Sequence, residues 1–252
     1  MGVGTMRYEM MLPHQIRKAI DDKWPVALPL GVLEYHGEHL AVGMDTLAVL
    51  RCLERLESEI DLVILPPFYY GAGSFVVEKP ERNGTVHVSA EQLEPFALGL
   101  FRSLLRIGFR NIHFVIHHQS ENFVQGMPTD LAFKLSARRA IFEFLENERD
   151  EGWWGDNSMA DYYEAHEEGD NPFNWIQGHP LMDSDIIESY DFDHAGIGET
   201  SLMMAIEPEG VDMDHFSSEK WYVKTAENAT STHGEEAVVR ILDRLKGVFC
   251  KL

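Results

Sequence analysis

Three short apolar runs, VALPLGVL at 26–33, DLVILPPF at 61–68 and NIHFVIHH at 111–118, are spaced by longer stretches of helical periodicity, and this alternation constrains the chain more than any other feature. Runs this short and this apolar suit strands buried on both faces, as in a parallel sheet covered by helices. Between the first two, Leu47, Leu50, Leu53, Leu56 and Ile60 recur on one helical face over 46–60, and the prolines at 66 and 67 stop the second run. SAEQL at 89–93 has the Ser-x-x-Gln form of a capping box, which predicts a helix from Ser89 to Gly108, with Pro95 bending its first turns. An amphipathic helix is expected over 128–148, with Leu131, Phe133, Leu135, Ile141 and Phe144 among its apolar positions. Residues 199–208 and 232–249 read as further regular elements, the last turning Val238, Ile241, Leu242, Leu245 and Val248 inward. The βαβ rhythm therefore predicts an α/β fold: a three-layer sandwich with a mainly parallel sheet flanked by helices. One core suffices for 252 residues, so 1–252 is read as a single domain. Only 149–180 breaks the rhythm. Acidic and aromatic, with Trp153, Trp154, Tyr162, Tyr163, His166 and Trp175, it is read as an irregular excursion over the surface.

Charge narrows the partners. Lys and Arg number 21 against 42 Asp and Glu, and the net charge of −21 repels nucleic acid and anionic membrane surfaces, leaving small molecules, cations or sister subunits. Cys52 and Cys250 form neither a CxxC pair nor a disulfide framework, no basic-then-apolar leader opens the chain, and no apolar stretch has the length of a span. These features predict a cytoplasmic protein.

The polar residues that carry chemistry collect where predicted strands end, the edge at which open α/β sheets bind ligands. After the first run come Glu34 and His36, which leave an extended segment on the same face, and then Asp45 just before a helix. Carboxylate, imidazole and carboxylate suit Zn, Mn or Fe better than Ca or a thiolate site. The third run ends in HHQSEN, bringing His117, His118, Gln119 and Glu121 to the same edge, and DFDHAGIGETS at 191–201 adds Asp191, Asp193, His194 and Glu199. No HExxH pattern occurs among them, which argues against a helical single-zinc protease site. His113 and His87 are read as packing residues.

The block ALPLGVLEYHGEHLAVGMDT resembles the signature of the creatininase family: a Leu-Pro-x-Gly run, Glu-x-His-Gly, a His-Leu pair and Gly-x-Asp-Thr. GTVHVS at 84–89 is similar to that family's Gly-Thr-Ile-Ser-like segment, and DHAGIGETS to its His-(Ala/Gly)-Gly-x-x-Glu-Thr-Ser motif, in the family's order over roughly residues 6–250. The resemblance implies a metal-dependent amidohydrolase with two divalent ions, Zn or Mn with Fe as a further option, on an α/β fold that assembles as a homohexamer and acts on a small-molecule substrate.

Carried over residue by residue, Glu34 would hold one metal, His36 the other, and Asp45 would bridge both. Glu121 matches a ligand of the second metal, His194 a catalytic histidine, and Glu199 a residue that orients groups around the metals or binds one. Where the family has Asn-Gly-His, this chain has His117, His118 and Gln119, so Gln119 stands at the usual ligand histidine, with His118 as the alternative after a one-residue shift. The first metal site is thereby expected to be weak or empty. On the substrate side, Ser120 replaces a tyrosine and Tyr190 a tryptophan, Asp191 is retained, and Ser74 resembles a substrate-contacting serine; the exchanges argue against creatinine. The expected activity is hydrolysis of a C–N bond in a cyclic amide or small formamide-like compound by a metal-activated water, with His194 protonating the departing nitrogen. The alternative is a non-catalytic member that keeps one metal and binds a ligand or partner through 149–180.

Overall fold

The computed structural model describes residues 6–123, 125–166 and 171–250. Among the described residues, four strands, β1 (Val26–Leu30), β2 (Val63–Ile64), β3 (Ile112–Ile116) and β4 (Ile176–Pro180), form one sheet in the order β2-β1-β3-β4. Every pairing is parallel, with Val26 opposite Val63 and Ile112, and Ile112 opposite Ile176. Among the described residues, eight α-helices accompany it: α1 (Pro13–Asp21), α2 (Met44–Leu56), α3 (Ala90–Ile107), α4 (Pro128–Arg149), α5 (Tyr162–Ala165), α6 (Ser184–Ser189), α7 (Ile197–Ile206) and α8 (Ser231–Phe249).

Period-two alternation along the strands divides the core into two layers. Val26, Leu28, Leu30, Ile112, Phe114 and Ile116 pack with residues of α3 and α4 such as Phe101 and Phe133. Ala27, Ile64 and Val115 face the opposite way, onto Val49 and Leu53 of α2, Leu202 of α7, and Ile241 and Leu245 of α8. The result is the helix–sheet–helix sandwich that the sequence predicts.

Ser89 and Gln92 form the capping box that opens α3, with Pro95 inside the helix. β2 is far shorter than its apolar run, and the excursion at 149–180 is not irregular throughout. After short 3₁₀ turns and α5, its last five residues are the edge strand β4. That strand, IQGHP, lacks an apolar pattern because only Ile176 is fully buried, and its Gly178 lies under the Phe114 ring, which a Cβ would approach to 2.0 Å. No helix among the described residues is long and apolar enough to cross a membrane.

Candidate metal centre and its pocket

β1 ends at Leu30, and Gly31 follows where the chain runs against the start of α2. A Cβ there would lie 2.5 Å from the Thr46 amide nitrogen, so the absent side chain lets the first turn of α2 sit beside the strand end. Asp45 occupies that turn, where the positive end of the helix favours an anion. Beyond Gly31, Glu34 donates its amide to the Val42 carbonyl (2.9 Å) and Tyr35 donates its own to Thr85 Oγ1 (3.0 Å), which fixes the loop bearing Glu34 and His36. His36 Nδ1 donates to the Glu34 carbonyl at 3.0 Å, leaving Nε2 to face Asp45 Oδ1 at 3.3 Å and Glu199 Oε2 at 3.8 Å.

β3 delivers His117 and His118 to the same place. His118 Nδ1 lies 3.4 Å from Glu34 Oε2 and 3.3 Å from Asp45 Oδ2. His117 stands between two carboxylates, Nδ1 to Glu121 Oε1 at 2.8 Å and Nε2 to Glu199 Oε1 at 3.0 Å. Glu199, in the first turn of α7, also accepts the Ala195 amide at 2.6 Å. His194 stacks on His36 with ring centroids 4.3 Å apart, and its Nε2 donates to the Tyr35 carbonyl at 2.9 Å, so Nδ1 is the free nitrogen, 4.0 Å from Glu34 Oε2.

Three ligand groups result, each with its donor atoms within 4.8 Å of one another: Glu34, Asp45 and His118; His36, Asp45 and Glu199; and Glu34, His36 and His194. All of these residues are buried, and Asp45 is shared by the first two groups. Buried carboxylates this close need positive charge between them. Two effects show that field. Burial works against charge on His36 and His118, yet the neighbouring carboxylates, Asp45 foremost, outweigh it and hold their pKa values up at about 9 and about 10. His117 is likewise raised by Glu121 and Glu199 against its burial, while Asp45 itself stays well below the usual carboxylate range because His36 and His118 overcome its desolvation. Within the same centre, Asp45 Oδ2 and both ring nitrogens of His118 are buried without a hydrogen-bond partner among the described residues. Asp45 Oδ2 and His118 Nδ1 face each other beside Glu34 Oε2, an arrangement that suits a cation, and the mixed carboxylate and imidazole set suits a borderline divalent ion.

The predicted site residues divide in this geometry. Glu34, His36, Asp45, His194 and Glu199 converge. Gln119 adopts a left-handed conformation (φ 57°) and accepts from Asn122 Nδ2 at 3.1 Å, whereas His118 stands between Glu34 and Asp45. Glu121 belongs to none of the three groups and holds His117. A cavity of about 380 Å³ opens beside the centre, reaching Glu34, His118 and His194, with Ser74 and Gln119 in its wall. Ser120, Tyr190 and Asp191 are not among the described residues that line it; Tyr190 packs against His233 and the α2–α7–α8 core. His113 is a packing residue, against Phe249, whereas His87 is exposed and accepts the Ser74 amide at 3.1 Å. Sequence reasoning missed the far wall, because Val76, Val77, Phe123 and Met127 lie in loops and turns and Trp221 and Tyr222 open a 3₁₀ helix (Trp221–Asn228), where no apolar periodicity marks an inward side chain.

The family profile described as "Creatininase: Creatinine amidohydrolase" matches residues 9–244. The creatinine amidohydrolase of Pseudomonas putida is 25% identical over 189 residues, 74% of this chain and 66% of the relative. The 3-dehydro-scyllo-inosose hydrolase of Thermotoga maritima is 24% identical over 219 residues, 86% of this chain and 60% of the relative. The matches thus span less than two thirds of either relative's length. Among solved structures, a manganese form of creatininase superposes with a TM-score of 0.69 at 18% identity, covering 98% of this chain and all of the other.

Proposed function

The chain belongs to the creatininase family, and on that premise we propose that it is a metal-dependent hydrolase of a non-peptide C–N bond, in a cyclic amide or a small formamide-like compound. The observation that carries this reading is the shared, half-orphaned Asp45: one oxygen faces His36 and the other faces His118, with Glu199 and Glu34 completing the two groups. Glu34, Asp45 and His118 would hold one divalent ion; His36, Asp45 and Glu199 would hold a second. Bound there, such ions make hydroxide available near neutral pH and polarise an amide carbonyl. Zn and Mn are the first candidates, since solved creatininases include a Zn–Zn form and an Mn form.

The chain's own residues supply the proton transfers. Burial and the neighbouring His36 lower the His194 pKa, so its ring is neutral with Nδ1 free, and Nε2 is spent on the Tyr35 carbonyl. His194 Nδ1 can therefore accept the proton of the attacking water and pass it to the departing nitrogen, which leaves poorly without one. His117, held by Glu121, fixes the Glu199 carboxylate. The placement of His118 supports a complete first metal group and so favours the hydrolase over a non-catalytic member. The family does not choose the substrate, because the two relatives are named for different ones, creatinine and 3-dehydro-scyllo-inosose.

A homo-oligomer is part of the proposal, supported by Leu131, Leu135 and Phe142, all exposed along α4; light scattering gives its mass. The deciding experiment for the activity is metal content per subunit combined with turnover of cyclic amides and formamides in added Mn or Zn. Two ions with turnover on one of these classes is the expected result. No metal uptake after supplementation rejects the reading.

A further inference from the structure

Tyr222 lines the cavity beside the metal centre, and its ring meets His194 edge-on at 5.3 Å between centroids. Its hydroxyl is buried and has no hydrogen-bond partner among the described residues. An unpaired buried hydroxyl costs stability, so a site that keeps one is built for a group that arrives later. The segment that carries it is pinned: the next residue, Val223, is buried, and Thr225 Oγ1 accepts the Ile197 amide at 3.0 Å at the start of α7. Tyr222 is thus held against the same turn that positions Glu199.

The rest of the wall defines what would meet that hydroxyl. Val76, Phe123 and Trp221 are exposed at its rim and Val77 and Met127 continue the apolar surface. No Lys or Arg is among the described residues that line the cavity, and the neighbouring Lys220 is paired with Glu78. Glu34 and Asp193 are its acidic members. With no Lys or Arg among its described residues to pair a carboxylate and with this apolar surface, the wall favours a flat uncharged group.

We infer that Tyr222 is a substrate-binding residue whose hydroxyl donates a hydrogen bond to an acceptor oxygen of the substrate, and that the substrate is an amide carrying an uncharged, flat apolar group that lies against Trp221, Phe123 and Val76. The inference rests on the hydrolase reading for the word substrate, but the binding site it describes does not.

Binding of benzohydroxamate and acetohydroxamate to the Mn-loaded protein tests it by calorimetry, with Tyr222→Phe and Trp221→Ala compared to the wild type. Phenylalanine should weaken benzohydroxamate about tenfold, the worth of one hydrogen bond. Its Mn content should be unchanged, and its melting temperature without metal should not fall, since the lost hydroxyl had no partner. Alanine at 221 should narrow the preference for the phenyl over the methyl compound. Unchanged benzohydroxamate affinity in Tyr222→Phe, no phenyl preference in the wild type, or a Tyr222→Phe protein that loses several degrees of melting temperature would each overturn the inference. Turnover of formanilide and 5-phenylhydantoin separates the two readings. Tyr222-dependent binding without any turnover removes the hydrolase and leaves the wall, whereas turnover that Tyr222→Phe does not change removes the wall and leaves the hydrolase.

Discussion

Replacing His118 by alanine tests the point at which geometry departs most from the aligned motif. In the metal-free protein His118 carries the proton that separates Glu34 from Asp45, and their field lifts its pKa from the ordinary 6.5 to about 10 despite burial. The difference corresponds to on the order of 5 kcal/mol in favour of a positive charge at that position. Because the folded value is raised, this stabilisation is fully present below pH 6.5 and is lost as pH climbs through about 10. His118→Ala measured in chelator at pH 6 should therefore be destabilised by several kcal/mol, roughly the linkage figure just given, with the deficit shrinking toward pH 10. With metal added, the variant should bind the ion of the Glu34–Asp45 group more than about 100-fold more weakly, since even the partners behind a ligand cost 10–100-fold when removed. Gln119→Ala should leave that affinity unchanged. Denaturant melts across pH and calorimetric titration with Mn or Zn provide both readouts. If Gln119→Ala empties the group while His118→Ala retains it, the amide is the ligand and the reasoning from geometry fails.

Three further outcomes follow from the same centre and from the sheet. Asp45→Asn should lower metal content in both groups and abolish turnover, because a neutral amide replaces the shared carboxylate; elemental analysis showing full occupancy would refute the sharing. His194→Ala should leave metal content intact and lower turnover by roughly 10²–10⁴-fold, with a smaller loss on an activated anilide or ester whose leaving group needs no proton; equal losses on good and poor leaving groups would remove the proton-transfer role. His113, buried beside His179, has its pKa pushed down to about 3 by desolvation first and by its neighbour second. Its contribution is present above the unfolded value of 6.5 and lost as pH falls toward 3, about 2 kcal/mol by pH 5, and a His113→Phe protein with an equally steep acid profile would contradict it.

The layers of the fold are legible in the sequence because each strand buried on both sides must be apolar throughout, and each helix must show a stripe. β1 and β3 satisfy the first condition and α2 and α8 the second, so the sheet and its two coats follow from hydrophobic pattern alone. β4 escapes for a physical reason: an edge strand has one neighbour, and its side chains are mostly half-buried, so glycine, glutamine and histidine are tolerated where pairing with β3 does the ordering. The cavity wall escapes for another. Phe123 lies in a loop and Tyr222 in the first turn of a 3₁₀ helix (Trp221–Asn228), where the direction of a side chain is set by tertiary contacts that no apolar spacing encodes.

The site itself was half legible, and the half that was not turns on a single backbone angle. Alternation continued from β3 would point His117 and Gln119 to one face and His118 to the other, which makes Gln119 the natural heir of the ligand position. Pairing in the ladder, however, ends at Ile116, opposite Leu30 and Pro180. Beyond it the chain is no longer held to a pleat, and the positive φ at Gln119 turns the chain so that the glutamine points to Asn122. A left-handed residue is inexpensive for glycine but not for glutamine, so something else must hold this turn. The contacts that do so are at hand: His117 is clamped at both nitrogens by Glu121 and Glu199, one from within the turn and one from α7. Glu121 thus faces His117 at the strand end that leads into His118, and it lies outside the three ligand groups while His118, three residues earlier, lies inside one.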